Sequence, residues 1–209
     1  MAELTDTLNK LLEPRADEIG KRIGADGGKT RSAIQAAVPA LLAALSANAS
    51  QGTGLRQAIA KDHDGSILDD LGGYLGGTAK LSPRTTNGAG ILEHTLGERQ
   101  PAVQKALSAK SGLDMGSIGS LLALLAPVVL GMLGKRGGAA GGGSGSGGIG
   151  LDDIGDLLNR EKDDARSNNP DLGDIFDSFT RGGSGASGGS SSGGGLGDTL
   201  GSLGKGRNG

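Results

Sequence analysis

Apolar residues recur along this chain at steps of three and four. Leu4, Leu8, Leu11 and Leu12 form one stripe that stops before Pro14, and Ile34, Val38, Leu41, Leu42 and Leu45 form another around Pro39. That spacing gathers side chains on one face of a helix. "GLRQAIAKD" (54–62) and "PAVQKALSAKSG" (101–112) read as short helices with Gly or Pro at their ends. Two briefer stripes, Ile67, Leu68, Leu71 and then Ile91, Leu92, Leu96, predict short helical turns. "IGSLLALLAPVVLGMLG" (118–134) is apolar nearly all round and predicts a central buried helix. It sits at the short edge of the ~17–25 residues a membrane span requires, and it carries a Pro and three Gly. No run of alternating β-branched residues interrupts the pattern, so the fold class it predicts is all-α.

Two of these segments are copies of one plan. "GADGGKTRSAIQAAVPALLAAL" (24–45) aligns without gaps on "GLDMGSIGSLLALLAPVVLGML" (112–133), an offset of 88 residues. In each copy a Gly is suited to end one helix in the left-handed conformation. An Asp two residues later is suited to cap the next helix. Thirteen residues further on, a Pro removes one helical hydrogen bond and kinks or restarts the helix. Residues 1–136 therefore predict a compact multi-helix domain with two helix–turn–kinked-helix repeats.

Composition changes abruptly at Gly137. Gly numbers 43 of 209 residues, against a usual share of roughly 7%. Much of it lies in "GGAAGGGSGSGG" (137–148) and "GGSGASGGSSSGGG" (182–195). Such segments bury nothing and behave as flexible coil. Residues 137–209 are thus expected to form a disordered, Gly/Ser-rich tail. They are also where the acid lies: residues 149–209 carry net −4, and residues 1–148 net +2. The tail holds three amphipathic islands, at 149–164, 169–181 and 196–204, each containing Ile/Leu-Gly-Asp. The middle island carries both Phe of the chain, and Leu172, Ile175, Phe176 and Phe179 are its candidate interaction residues. Short helices on flexible tethers dock into partner grooves, and several copies raise effective concentration. The alternative is that the islands fold back on their own domain or bind nothing.

"AIQAAVPALLAAL", "DHDGSILDDLGG", "GILEHTLG" and "LLALLAPVVLGMLGK" occur in that order. The ordered set resembles a bacterial domain family of unknown function that includes the YidB-like proteins, over roughly residues 4–136. The resemblance implies an all-helical fold, likened to a helix-turn-helix or homeodomain arrangement, and implies no activity and no catalytic residues.

Candidate chemistry centres on "KDHDGSILDDLGGYLGG" (61–77), which packs four Asp and one of the chain's two His into a short span. A calcium loop begun at Asp62 would need Gly at its sixth position and Glu at its twelfth. Ile67 and Gly73 stand there instead. A transition-metal site would draw on His63, Asp64 and His94, but zinc ligands are usually closer pairs than His63 and His94, 31 residues apart. The expectation is therefore no metal and no cofactor. Asp64 caps a helix beginning near Gly65, Asp69 and Asp70 face solvent, and Gly72-Gly73 weaken or end that helix. Whether His63 and His94 meet is the question left for the fold.

"GADGGKT" ends like a phosphate-binding loop, but Ile23 occupies the position of its first Gly. With no Cys there is no disulfide and no thiol nucleophile, and neither His has a Ser–His–acid signature beside it. "ADEIGKRIGADGGKTRSAIQAA" has the look of a helix-turn-helix, with Lys21, Arg22, Lys29 and Arg31 available to phosphates. The second copy lacks those basic residues, and the whole chain carries net −2. The N-terminus shows no basic segment followed by an apolar run, so no secretory signal is expected. The reading that results is a cytoplasmic, non-enzymatic protein-interaction or self-associating module. Its partners are proteins, with neither nucleic acid nor membrane expected. A DNA-associated helix-turn-helix-like protein and an envelope-associated structural protein are the alternatives.

Overall fold

The repeat seen in the sequence organises the molecule. A computed structural model describes residues 3–49, 54–138 and 154–168, and among them there is no strand. The first half runs α1 (Glu3–Leu12), a 3-10 turn (Glu13–Arg15), α2 (Ala16–Ile23) and α3 (Gly27–Ala49). Four short helices follow: α4 (Gly54–Asp62), α5 (Ser66–Asp69), α6 (Leu71–Gly76) and α7 (Pro83–Thr86). The second half runs α8 (Gly88–Thr95), a 3-10 turn (Gly97–Arg99), α9 (Gln100–Ser111) and α10 (Met115–Gly138). A last helix, α11 (Ile154–Asn168), returns to the body.

The Gly and Asp of both copies act as their chemistry dictates. Gly24 ends α2 and Gly112 ends α9, both at φ 71°, where a side chain would be strained. Asp26 accepts from the Gly28 and Lys29 amides at 2.9 and 3.0 Å. Asp114 accepts from the Ser117 amide at 2.9 Å and its hydroxyl at 2.6 Å. Each satisfies first-turn N–H groups that have no helical partner. The repeat also reaches further back than the aligned residues: both halves enter their middle helix through a 3-10 turn, with Leu12 at φ −97°, ψ −36° and Leu96 at φ −99°, ψ −36°.

α3 and α10 continue through Pro39 and Pro127. Proline has no N–H for the carbonyl four residues back. In α3 that carbonyl belongs to Gln35, an exposed residue. In α10 it belongs to Ala123, and its oxygen faces Gly88 so closely that a Cβ there would overlap it. The absence of a side chain at Gly88 is what lets α8 begin against α10. Gly134 does the same for the His63 carbonyl, and Gly131 for the Ile67 side chain.

The sequence pattern differs from the structure in three places. α3 is buried nearly all round, not on one stripe: besides Ile34, Val38, Leu41, Leu42 and Leu45, the body covers Ala36, Ala37, Ala40, Ala43, Ala44 and Ser46. The predicted single turn around Ile67 is two helices, because Asp70 caps α6 by accepting the Gly73 amide at 3.0 Å. Gly72-Gly73 therefore lie inside a helix. Residues 154–168, which overlap the first amphipathic island of the expected tail, are a helix packed on the body, as the fold-back alternative has it. Leu158 is fully buried, and burying a Leu is worth about 1.5–3 kcal/mol. α3 and α10 are each long and apolar enough to cross a membrane by length and composition, but 72% and 67% of their apolar windows lie buried in the body.

Candidate functional site

The chain's two histidines line one cavity of about 470 Å³, with Leu55, Ile91 and Leu130 among its walls. His63 follows α4, its amide donating to the Ile59 carbonyl at 3.1 Å, and its own carbonyl is held against Gly134 of α10. Its side chain is only 4% exposed, and Nδ1 is buried without a hydrogen-bond partner. Burial pushes the His63 pKa below its ordinary 6.5, partly opposed by the charges of Asp62 and Asp64, so the ring is neutral at pH 7. His94 lies exposed on α8. The position of that helix end is fixed by Asn48, whose Nδ2 donates to the His94 and Thr95 carbonyls at 3.0 and 3.2 Å.

Asp64 does not join them in that cavity wall. Its Oδ1 accepts from the Ser66 amide at 3.0 Å, which holds its pKa below the usual carboxylate value. Among the described residues no group of three or more His, Asp or Glu is arranged to hold a metal. The two histidines thus share a cavity, and Asp64 serves the turn, one residue before the Gly65 that starts α5 in the left-handed conformation at φ 98°.

A second arrangement joins the two ends of the described chain. α11 packs along α3 and touches α1. Glu161 is 3% exposed. One of its oxygens accepts from the Leu4 amide at 2.7 Å, and the other accepts from the Thr5 amide at 3.1 Å and the Thr5 hydroxyl at 2.8 Å. These are first-turn N–H groups of α1, where the helix dipole also favours an anion. Asn159 adds a 2.7 Å hydrogen bond from the Ser46 hydroxyl. The apolar pattern of this island does not by itself mark Glu161. The signal was present: Glu161 falls three residues after Leu158, on the same helical face.

The basic residues of the first repeat divide. Arg22 Nη1 donates to the Tyr74 carbonyl and, at 2.7 Å, to the Leu75 carbonyl, so it closes the end of α6. The guanidinium stands 5.8 Å from the Tyr74 ring centroid. The Tyr74 hydroxyl donates to the Leu124 carbonyl at 3.1 Å, and burial pushes its pKa up to about 12 against the opposing charge of Arg22. Lys29 and Arg31 lie exposed on the first turns of α3. Leu172, Ile175, Phe176 and Phe179 lie outside the described residues.

Searches of curated proteins and of solved structures return no match. Residues 6–136 match a family described as bacterial protein of unknown function (DUF937). That span covers both repeats and all or most of every described helix except α11, and on that match this chain belongs to the bacterial DUF937 family.

Proposed function

We propose that the protein is a non-enzymatic association module that works through its C-terminal helix, and that copies of it join by exchanging α11. The observation that carries this reading is the docking of α11 on α3 and α1 with Glu161 as a buried cap. The groove recognises an amphipathic helix by an apolar contact, Leu158, and a charge-assisted one, Glu161. Residues 139–153, which connect α10 to α11, are mostly Gly, Ala and Ser. A groove and helix that fit within one chain fit equally between two, which is the chemistry of domain exchange. Two further Ile/Leu-Gly-Asp segments, at 172–174 and 196–198, are additional candidates for the same groove. Protein partners carrying an acidic amphipathic helix would use the same groove. In this reading the protein works in the cytoplasm.

The test is solution mass against concentration for the full chain and for a chain ending at residue 138. The proposal expects the full chain to grow in mass with concentration and the shortened chain to stay monomeric. Equal monomeric masses for both would overturn it.

A further inference from the structure

The cavity shared by His63 and His94 has one feature that packing does not explain. A buried polar atom in a folded protein normally has a partner, because leaving it bare forfeits its hydration without replacement. His63 Nδ1 has none. Of the other polar residues in the walls, Asn48 Nδ2 donates to two carbonyls, the Thr95 hydroxyl donates to the Ile91 carbonyl at 2.7 Å, and His94 is exposed. The remaining walls, Leu55, Ala58, Ile91 and Leu130, are apolar. A volume of about 470 Å³ lies within the usual range of small-molecule sites.

We propose that this cavity binds a small uncharged molecule with an apolar body and one hydroxyl group, the hydroxyl pairing with His63 Nδ1 and the body resting on Ile91 and Leu130. A hydroxyl suits this atom because it donates or accepts, whichever tautomer the neutral imidazole holds. A charged group does not suit it, since the apolar walls would strip its hydration without return. A metal ion would need ligands that these walls lack. Ordered water is the competing occupant, but water requires two to four polar partners.

The experiment uses the full chain labelled with ¹⁵N at histidine, which carries only two imidazoles. It is titrated with p-cresol and, in parallel, with toluene, the same body without the hydroxyl. The expected result is a saturable shift of the His63 imidazole signals by p-cresol, with roughly tenfold tighter binding than toluene, the worth of one hydrogen bond. His63→Leu should abolish the preference for p-cresol. Ala58→Leu, which narrows the cavity and keeps the imidazole, should weaken both compounds. Equal binding of p-cresol and toluene, or no saturable shift, would overturn the proposal. So would Zn²⁺ alone shifting both imidazoles and excluding p-cresol.

Discussion

α3 and α10 are built to one plan and covered in two different ways. Each follows a left-handed Gly at φ 71°, each starts on an Asp cap, and each runs through a Pro. α10 is covered by neighbours whose backbones touch it: α8 begins on the Ala123 carbonyl at Gly88, and the His63–Asp64 turn lies on Gly134. α3 receives α11 through side chains, Leu158, Asn159 and Glu161, from a helix more than a hundred residues away in sequence. Backbone-to-backbone contacts made without a Cβ come apart only when the core opens. A helix packed through side chains and joined by a Gly-rich segment can separate locally, at lower cost than global unfolding. On the proposed reading, one half of the molecule has a fixed cover and the other an exchangeable one.

That contrast is breakable at several points. The largest effect is expected on the fixed side. Gly88→Ala forces a Cβ into the Ala123 carbonyl, and backbone on both sides leaves nothing flexible to yield. A loss of about 3 kcal/mol in urea unfolding is expected; a loss within error would mean the close approach is not real. Glu161→Ala strips buried acceptors from the Leu4 and Thr5 amides. It should cost about 2 kcal/mol and, unlike Gly88→Ala, should speed hydrogen exchange in α1 and α11 ahead of α10.

Asp26→Ala and Asp114→Ala remove equivalent caps from the two halves. Each should lower the urea midpoint by a similar amount, and a large inequality between them would show that the halves are less alike than their geometry. The smallest effect is expected from pH and belongs to the His63–Asp64 turn that lies on α10. The unfolded chain protonates His63 near 6.5, while the folded chain resists the proton because the ring is buried. The unfolded state thus binds more protons as pH falls below 6.5, and stability declines in that direction. Comparing urea midpoints across this range in the wild type and in His63→Gln checks the sign, since the variant should have a flatter profile.

The helix plan was legible in the sequence because its signals are local. Gly24, Asp26, Gly112 and Asp114 announce helix ends through φ preference and capping chemistry. The Leu and Ile stripes announce helix faces. What escaped depends on contacts between distant segments. Alanine at 36, 37, 40, 43 and 44 is neutral in a periodicity count, so nothing in α3 itself announces that α11 covers it. Asp70 has the look of a surface acid beside Asp69, and only the accepted Gly73 amide distinguishes the cap from its neighbour. The shared cavity of His63 and His94 follows from α4 and α8 both packing on α10, a juxtaposition with no local trace.

The central claim is that α11 exchanges between copies, and the absence of cysteine from the chain gives a direct test. The Ser46 hydroxyl and the Asn159 side chain meet at 2.7 Å across the α3–α11 contact. Ser46→Cys and Asn159→Cys are made in separate chains, with the double variant as the control that the pair bridges within one chain. The two single variants are then mixed under mild oxidation, and the account predicts a covalent dimer containing one chain of each kind. Single variants that remain unlinked on mixing, while the double variant closes its own bridge, would contradict it.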